Sequence, residues 1–337
     1  RMTTIEFPVL IGDIGGTNAR FRILPDAESP AISFDHVRTA DFEDIETAVE
    51  QAVLAKTDLK PLTAVLAAAG PITPDGLDLT NCHWSIQPDR FLNFSSIRRL
   101  VLFNDFDAQA IALPSLDASD LTAIGNSDRP LDNKTKAVIG PGTGLGVGTL
   151  AFANDTWIPV GGEGGHVDLG PRTEREWRIW EHLERFDGRV SAESILCGPG
   201  LLNAYNAVCA TEGKSPKHKA PEEISKAAMA GDDDLATETL ALFCRCLGRV
   251  AGDLAVTVMP KGGVYIAGGV AKKVAPFLQK SEFRAAFEDK SPHNALMAAI
   301  PTMLVTHDVP ALLGLDSFAR NPGQFGIVLD HRHWKRG

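Results

Sequence analysis

The sequence predicts an α/β protein built from two similar units with a cleft between them. Three observations carry this. The chain has 337 residues, roughly two domains' worth at about 150 residues each. A strand–glycine turn–strand unit opens the chain and returns near Lys136. After each such unit, short apolar runs alternate with amphipathic segments, the order expected of a layered α/β fold.

The elements follow in chain order. Val9 to Ile11 is an apolar run ending at Gly12-Asp13, and Ala19 to Leu24 alternates apolar and polar residues. Gly15-Gly16 between them completes a strand, tight turn and strand. Ala31 to Thr39 is read as a third strand. Ile45, Ala48, Val49, Ala52 and Val53 recur at helical spacing,. Ala64 to Ala69 is a buried strand. Leu100 to Phe103 is another, ending in Asn104-Asp105, with a helix from Ala108 to Leu113 behind it. Lys136 to Gly140, a glycine turn and Leu145 to Phe152 restart the pattern. Thr173 to Phe186 reads as helical, followed by Ser191 to Leu196 and Gly200 to Thr211. Ala236 to Met259 carries Leu240, Phe243, Cys244, Leu247, Val250, Ala251, Leu254 and Val258 on one stripe and stops at Pro260,. Val264 to Ala267 and Met303 to Val305 are late strands, and Pro310 to Ala319 is the last helix.

Composition narrows the function. Lys and Arg number 33 against 43 Asp and Glu, a net charge of −10. This argues against nucleic acid and anionic membranes, which reward clustered cations, and leaves a small anion open. The five cysteines, at irregular spacing and without a CxxC pair, fit neither a disulfide framework nor a structural zinc site. Reduced thiols and the lack of a signal peptide point to the cytoplasm. The uncharged stretch Ala137 to Asn154 is too rich in glycine for a membrane helix,.

Four glycine-rich segments are candidate ligand cradles. Gly12-Asp13-Ile14-Gly15-Gly16-Thr17-Asn18 sits at a strand end, where glycine lets backbone N–H groups approach an anion. Thr17 and Asn18 add side-chain donors, and Asp13 could hold a hydrated Mg²⁺. A plain hairpin with a polar cap would look the same. Gly142-Thr143-Gly144 forms a second turn of this kind. Neither turn contains G-x-G-x-x-G or a Lys-bearing P-loop,. Two such hairpins could clamp one polyphosphate. Gly262-Gly263 and Gly268-Gly269 flank a strand, either as punctuation or for close approach to a base or ribose. Asp105 at a strand end could accept a hydroxyl proton, although the position also suits a helix N-cap. Glu163 and His166 lie in the glycine stretch Gly161 to Gly165, without the HExxH pattern of a metal site, and suit hydrogen bonding to a polyhydroxyl ligand. Glu193 fits that role or a first-turn helix acid.

Together these segments resemble the bacterial ATP-dependent glucokinase family. The matching stretches run in family order: GDIGGTNAR, AAAGPI, LTNCHW, FNDFDAQA, GPGTGLG, GEGGHVDLGP, RVSAESIL, GPGL, YIAGGV and FRAAFEDK. The resemblance implies the two-domain actin-like ATPase (ribonuclease H-like) fold with an interdomain cleft. A small domain would span 1–115 plus 308–337, and a large one 116–307. It implies transfer of the ATP γ-phosphate to the 6-hydroxyl of glucose, with Mg²⁺, by a homodimer. Asp105 matches the catalytic base, while Asn104, Glu163, His166 and Glu193 match ligands of the sugar hydroxyls. Asp13, Gly15, Gly16, Thr17 and Asn18 match the first phosphate motif and Gly142, Thr143 and Gly144 the second. Gly268 and Gly269 match the adenosine side. Closure of the two domains would exclude water from the transfer. Two departures show: Gly161 stands where the family has Pro, which would loosen the sugar loop, and Cys197 stands where Ser is usual. Other readings on the same fold are a kinase for mannose or fructose, a sugar-responsive regulator and a filament subunit. The regulator needs a helix-turn-helix, for which the lead before Gly12 is too short. The filament subunit has no use for Glu163, His166 and Glu193.

Overall fold

The computed structural model describes residues 4–80, 82–125 and 130–336, so Asn81 within LTNCHW lies outside the described residues. The chain divides into two compact units. Unit 1 comprises Arg1–Leu116, Leu150–Val160 and Asp308–Gly337; unit 2 comprises Asp117–Thr149 and Gly161–His307. Residues 150–160 therefore group with unit 1, whereas the sequence reading placed them in the larger domain.

Five strands form the body of the first sheet: β1 (Val9–Ile14), β2 (Asn18–Leu24), β3 (Ile32–Ser33), β4 (Thr63–Ala68) and β5 (Arg99–Asn104). Their order is β5-β4-β1-β2-β3. β1 pairs antiparallel with β2 and parallel with β4, and β4 pairs parallel with β5. Every residue of β4 is buried, as expected for a parallel strand covered on both faces. The ladder sets Ile14, Ala68 and Asn104 side by side, so three strands finish level at their carboxyl ends. The expected third strand, Ala31 to Thr39, is broken in two. Ile32–Ser33 and Val37–Arg38 pair with different parts of β2.

The second sheet repeats the arrangement. It contains β6 (Lys136–Pro141), β7 (Leu145–Ala153), β8 (Thr156–Gly162), β9 (Val264–Ile266) and β10 (Thr302–Val305). The order is β10-β9-β6-β7-β8, with β9 parallel to both β6 and β10. In each sheet the outer parallel strand also carries an antiparallel edge partner, His333–Lys335 on β5 and Leu121–Ala123 on β10. The duplication is thus plain in topology, although it is weak residue by residue. β8, the 333–335 edge strand and a small three-stranded sheet spanning residues 72–86 were not anticipated from the sequence.

Helices cover the sheets. α1 (Ile45–Ala52) is capped by Asp44, whose side chain accepts from Thr47 N. α2 (Asp105–Ala112) follows β5 directly. In unit 2, α3 (Gly198–Thr211) packs beside α4 (Asp234–Val258). Asp233 caps α4 by accepting from Leu235 N at 2.9 Å, and Tyr205 of α3 donates to the same carboxylate at 2.8 Å. Leu240, Phe243, Cys244, Leu247 and Ala251 of α4 are buried in the unit 2 core. The helix expected over Thr173 to Phe186 stops at Trp180. Asp187-Gly188, both at positive φ, turns the chain so that Phe186 pairs with Arg189. The D-G pair is a hairpin signal and accounts for Phe186 leaving the helical pattern,.

α5 (Pro310–Arg320) lies on α2. A Cβ at Gly314 would run into the Ala108 carbonyl oxygen and crowd Ile111, so glycine sets the helix spacing. Gly314→Val is expected to cost about 1–3 kcal/mol through overpacking, read as a lower melting temperature. An unchanged melt would show that the two helices can separate without loss.

Candidate functional site

In unit 1 the site residues collect at the carboxyl ends of β1 and β5, where open parallel sheets present ligand-binding groups. Asn104 ends β5 and caps α2; its Oδ1 accepts from Phe106 N at 3.0 Å and its Nδ2 donates to Gly70 O at 3.3 Å. The cap falls to Asn104, so Asp105 is the first residue of the helix proper, with Oδ1 accepting from Phe106 N at 3.0 Å. This separates the two roles that the sequence left open for Asp105.

Asp13 lies one residue before the end of β1, across the ladder from Arg20. Its carboxyl is pushed up from 3.8 to about 6. Desolvation is the main cause; Arg20 opposes it and the negative charge of Asp105 adds to it. A second carboxylate close enough to raise Asp13 makes this a natural seat for a divalent cation,. Among the described residues, no group of three or more His, Cys, Asp or Glu could hold a metal through protein ligands alone.

Gly15, Gly16 and Thr17 form the turn after β1. Gly15 N donates to Asn18 O at 2.9 Å, so that amide closes the turn and offers a ligand nothing. In unit 2, Gly142 N likewise donates to Gly144 O at 2.8 Å, and Gly142 O accepts from Gly198 N at 2.8 Å. The first glycine of each hairpin therefore supplies shape, and the amides after it are those that can meet an anion. Gly268, at φ 87°, packs its backbone against the Pro141 carbonyl, which places the Gly268-Gly269 turn against the end of β6.

The unit 2 polar residues lie around the same loop. His166 Nε2 stands 3.9 Å from Glu163 Oε2, and both side chains are exposed, at 55% and 86%. Gly164 lies against Val147, and a Cβ on Gly165 would overlap the Leu145 carbonyl. Only glycine lets this loop lie flat on β7. Glu193 is not in a helix, so a first-turn role does not apply. Its N–H donates to Gly165 O at 2.9 Å, and its Oε2 accepts from Leu145 N at 2.7 Å. A Cβ on Gly144 would stand 2.6 Å from that same Oε2. Glu193 thus touches both the polar loop and the second hairpin.

The α3 N-cap is Cys197. Its Sγ accepts from Gly200 N at 3.2 Å and donates to Glu193 O at 3.1 Å, which are the bonds a serine hydroxyl would make. Burial pushes its thiol up to about 11. Arg189 was not singled out from the sequence as a site residue. It donates to His166 O at 3.0 Å and to Asp168 Oδ1 at 2.5 Å, bracing the loop from behind. Its place at the head of RVSAESIL was the available signal.

The raised carboxyl of Asp13 has a stability consequence. Between 3.8 and about 6 the folded state binds more protons than the unfolded one. The cost of ionising Asp13 is therefore absent below the lower value and fully present above the higher one. Asp13→Asn should raise the melting temperature at neutral pH, by a term on the order of 3 kcal/mol, and this gain should vanish near pH ~4. A gain independent of pH would rule out ionisation as its source.

The whole-chain comparisons agree with one another. A family model described as Glucokinase matches residues 10–322. A glucokinase of Rhizobium johnstonii is 51% identical over 332 residues, covering 98% of this chain and 97% of the relative. A crystal structure of a glucokinase from an Antarctic psychrotroph superposes with TM-score 0.79 at 33% identity, covering 92% of this chain and 98% of that one. A ROK family glucokinase from Streptomyces griseus, in complex with glucose and AMPPNP, shares the fold with TM-score 0.62 at 20% identity, covering 93% and 99%.

Proposed function

The chain belongs to the glucokinase family, and from that premise we propose how its residues carry phosphoryl transfer from ATP to glucose. The observation that carries the reading is the end of β5. Asn104 takes the helix cap, which leaves the Asp105 carboxylate at a strand end near a second acid, Asp13.

We assign Asp105 as the proton acceptor for the sugar 6-hydroxyl. The 6-oxygen forms a bond to the γ-phosphorus, the bond from that phosphorus to the β–γ bridging oxygen breaks, and the hydroxyl proton passes to Asp105. The transition state of such a transfer is loose, so the base orients the hydroxyl first and removes its proton late. Asn104, Glu163, His166 and Glu193 are assigned to the sugar hydroxyls. Several paired acceptors give specificity, because an analogue lacking one hydroxyl leaves a polar group unpaired. The Thr17 and Thr143 hydroxyls, with the amides that follow Gly15 and Gly142, are assigned to the phosphates. Gly268-Gly269 is assigned to the adenosine side. Asp13 fits a Mg²⁺ held through water, because its neighbouring carboxylate already makes an added positive charge favourable. When bound, the ion would offset negative charge on the phosphates. A cytoplasmic glycolytic role and a homodimer complete the reading; light scattering at two protein concentrations tests the dimer.

Sugar-dependent ADP formation with glucose beside mannose, fructose, galactose and glucosamine is expected to favour glucose. Asp105→Ala should lower kcat by roughly 10²–10⁴-fold, the usual worth of a positioned general base, with the melting temperature retained. Near-wild-type turnover in a folded Asp105→Ala protein would remove Asp105 from the mechanism.

A further inference from the structure

We propose that Thr39 is a positioning residue for the nucleotide, acting by fixing the direction of the peptide groups in the Gly15–Asn18 hairpin. The proposal rests on reading that hairpin as the first phosphate motif. Thr39 lies in none of the family-like segments, yet it is only 3% exposed, uncommon burial for a polar residue outside a sheet core. It follows the short strand Val37–Arg38, which pairs antiparallel with Ala19 and Asn18 of β2.

Thr39 donates twice to the hairpin. Its Oγ1 donates to Gly16 O at 2.9 Å, and its N–H donates to Thr17 O at 3.0 Å. A trans peptide group is planar, with its C=O and N–H pointing in opposite directions. Holding the Gly16 and Thr17 carbonyls toward Thr39 therefore turns the N–H groups of Thr17 and Asn18 away from it. Successive amides aimed to one side make an anion-binding concavity. The GDIGGTN segment contains no Lys or Arg, so amide direction is the main electrostatic resource of this turn. The clamp is itself anchored. Phe42 O, three residues on, accepts from Trp84 Nε1 at 3.1 Å and lies 3.0 Å from His83 Nε2. Asp44 then caps α1, so the segment that carries Thr39 is held at both ends.

The test compares Thr39→Val, which keeps the shape and removes the hydroxyl donor, with Thr39→Ser, which keeps the donor. Titration with AMPPNP should show Thr39→Val weakened roughly 5–30-fold, the range for one lost hydrogen bond that leaves its acceptor unpaired. Thr39→Ser should bind nearly as wild type, and glucose affinity should be unchanged in both. Hydrogen exchange in the wild type tests the underlying reading separately: AMPPNP should protect the amides of residues 16–18. Without that protection, the phosphate assignment of the hairpin falls. With protection present, Thr39→Val binding AMPPNP as tightly as wild type, even if it melts earlier, overturns the proposal and leaves Thr39 a structural residue. Should Thr39→Val not yield folded protein, Thr39→Cys, of similar size with a weaker donor, gives the same comparison.

Discussion

The level finish of parallel strands is the constraint on which each half of this protein depends. In unit 1 the register brings Ile14, Ala68 and Asn104 into one row. Asp13 stands one residue before that row and Asp105 one residue after it. In unit 2 the row runs Ile139, Ile266 and Leu304. The second hairpin leaves the end of β6, and the Gly268-Gly269 turn leaves the end of β9. A shift of one residue in either ladder would turn a carboxylate or a turn toward the opposite face of the sheet. The polar residues at the ends of the unit 1 strands, Asp13 in β1 and Asn104 in β5, oppose that shift, because a slip would carry them into the buried centre of the sheet,. Chemistry at the strand ends is therefore set by packing at the strand centres.

Backbone amides demand a second economy. The chain is acidic overall and neither hairpin carries a lysine, so on the proposed reading the phosphates would be met by N–H groups and hydroxyls. Each amide turned outward leaves a carbonyl turned inward, and a buried carbonyl needs a donor. The structure supplies one in each case. Thr39 serves Gly16 and Thr17, and Gly198 N serves Gly142. The segments that support the hairpins lie well away from them in sequence, which is why a turn motif alone does not make an anion site. Glycine has a second use in unit 2, where Gly144, Gly164 and Gly165 let Glu193 and β7 come close.

The strands and the large helices were legible because they bury long, regular patterns. β2 and α4 carry a period that one element satisfies, and β1, β4, β5 and β6 are apolar runs bounded by turn residues,. Short elements were not legible. Val37–Arg38 and His333–Lys335 exist only because a distant strand offers them hydrogen bonds. The helix expected through Phe186 stops at Trp180, and only its last expected residue, Phe186, is claimed by the Asp187-Gly188 turn at positive φ. Resemblance proposed the polar residues of the site, and the structure shows what Asn104, Asp105, His166 and Glu193 touch within their own units. Thr39 escaped notice because it acts on backbone carbonyls, and a carbonyl leaves no trace in a sequence; Arg189 acts on the His166 carbonyl and on the Asp168 carboxylate.

The two departures from the family pattern show how such support works. Cys197 replaces a hydroxyl with a thiol one bond from Glu193, yet the cap bond to Gly200 N and the bond to Glu193 O are both present. A thiol is a weaker donor and acceptor than a hydroxyl, but it is buried here, where even a weak pairing avoids the cost of an orphaned amide. Gly161 stands where the resemblance implies proline, just before Glu163, and a Cβ at the neighbouring Gly162 would meet no atom within 4 Å. That end of the loop is open. The other end is held: Gly165 O accepts from Glu193 N, His166 O accepts from Arg189, and His166 N donates to Glu163 O at 3.0 Å. His166 keeps its place because its own peptide groups are bonded on both sides.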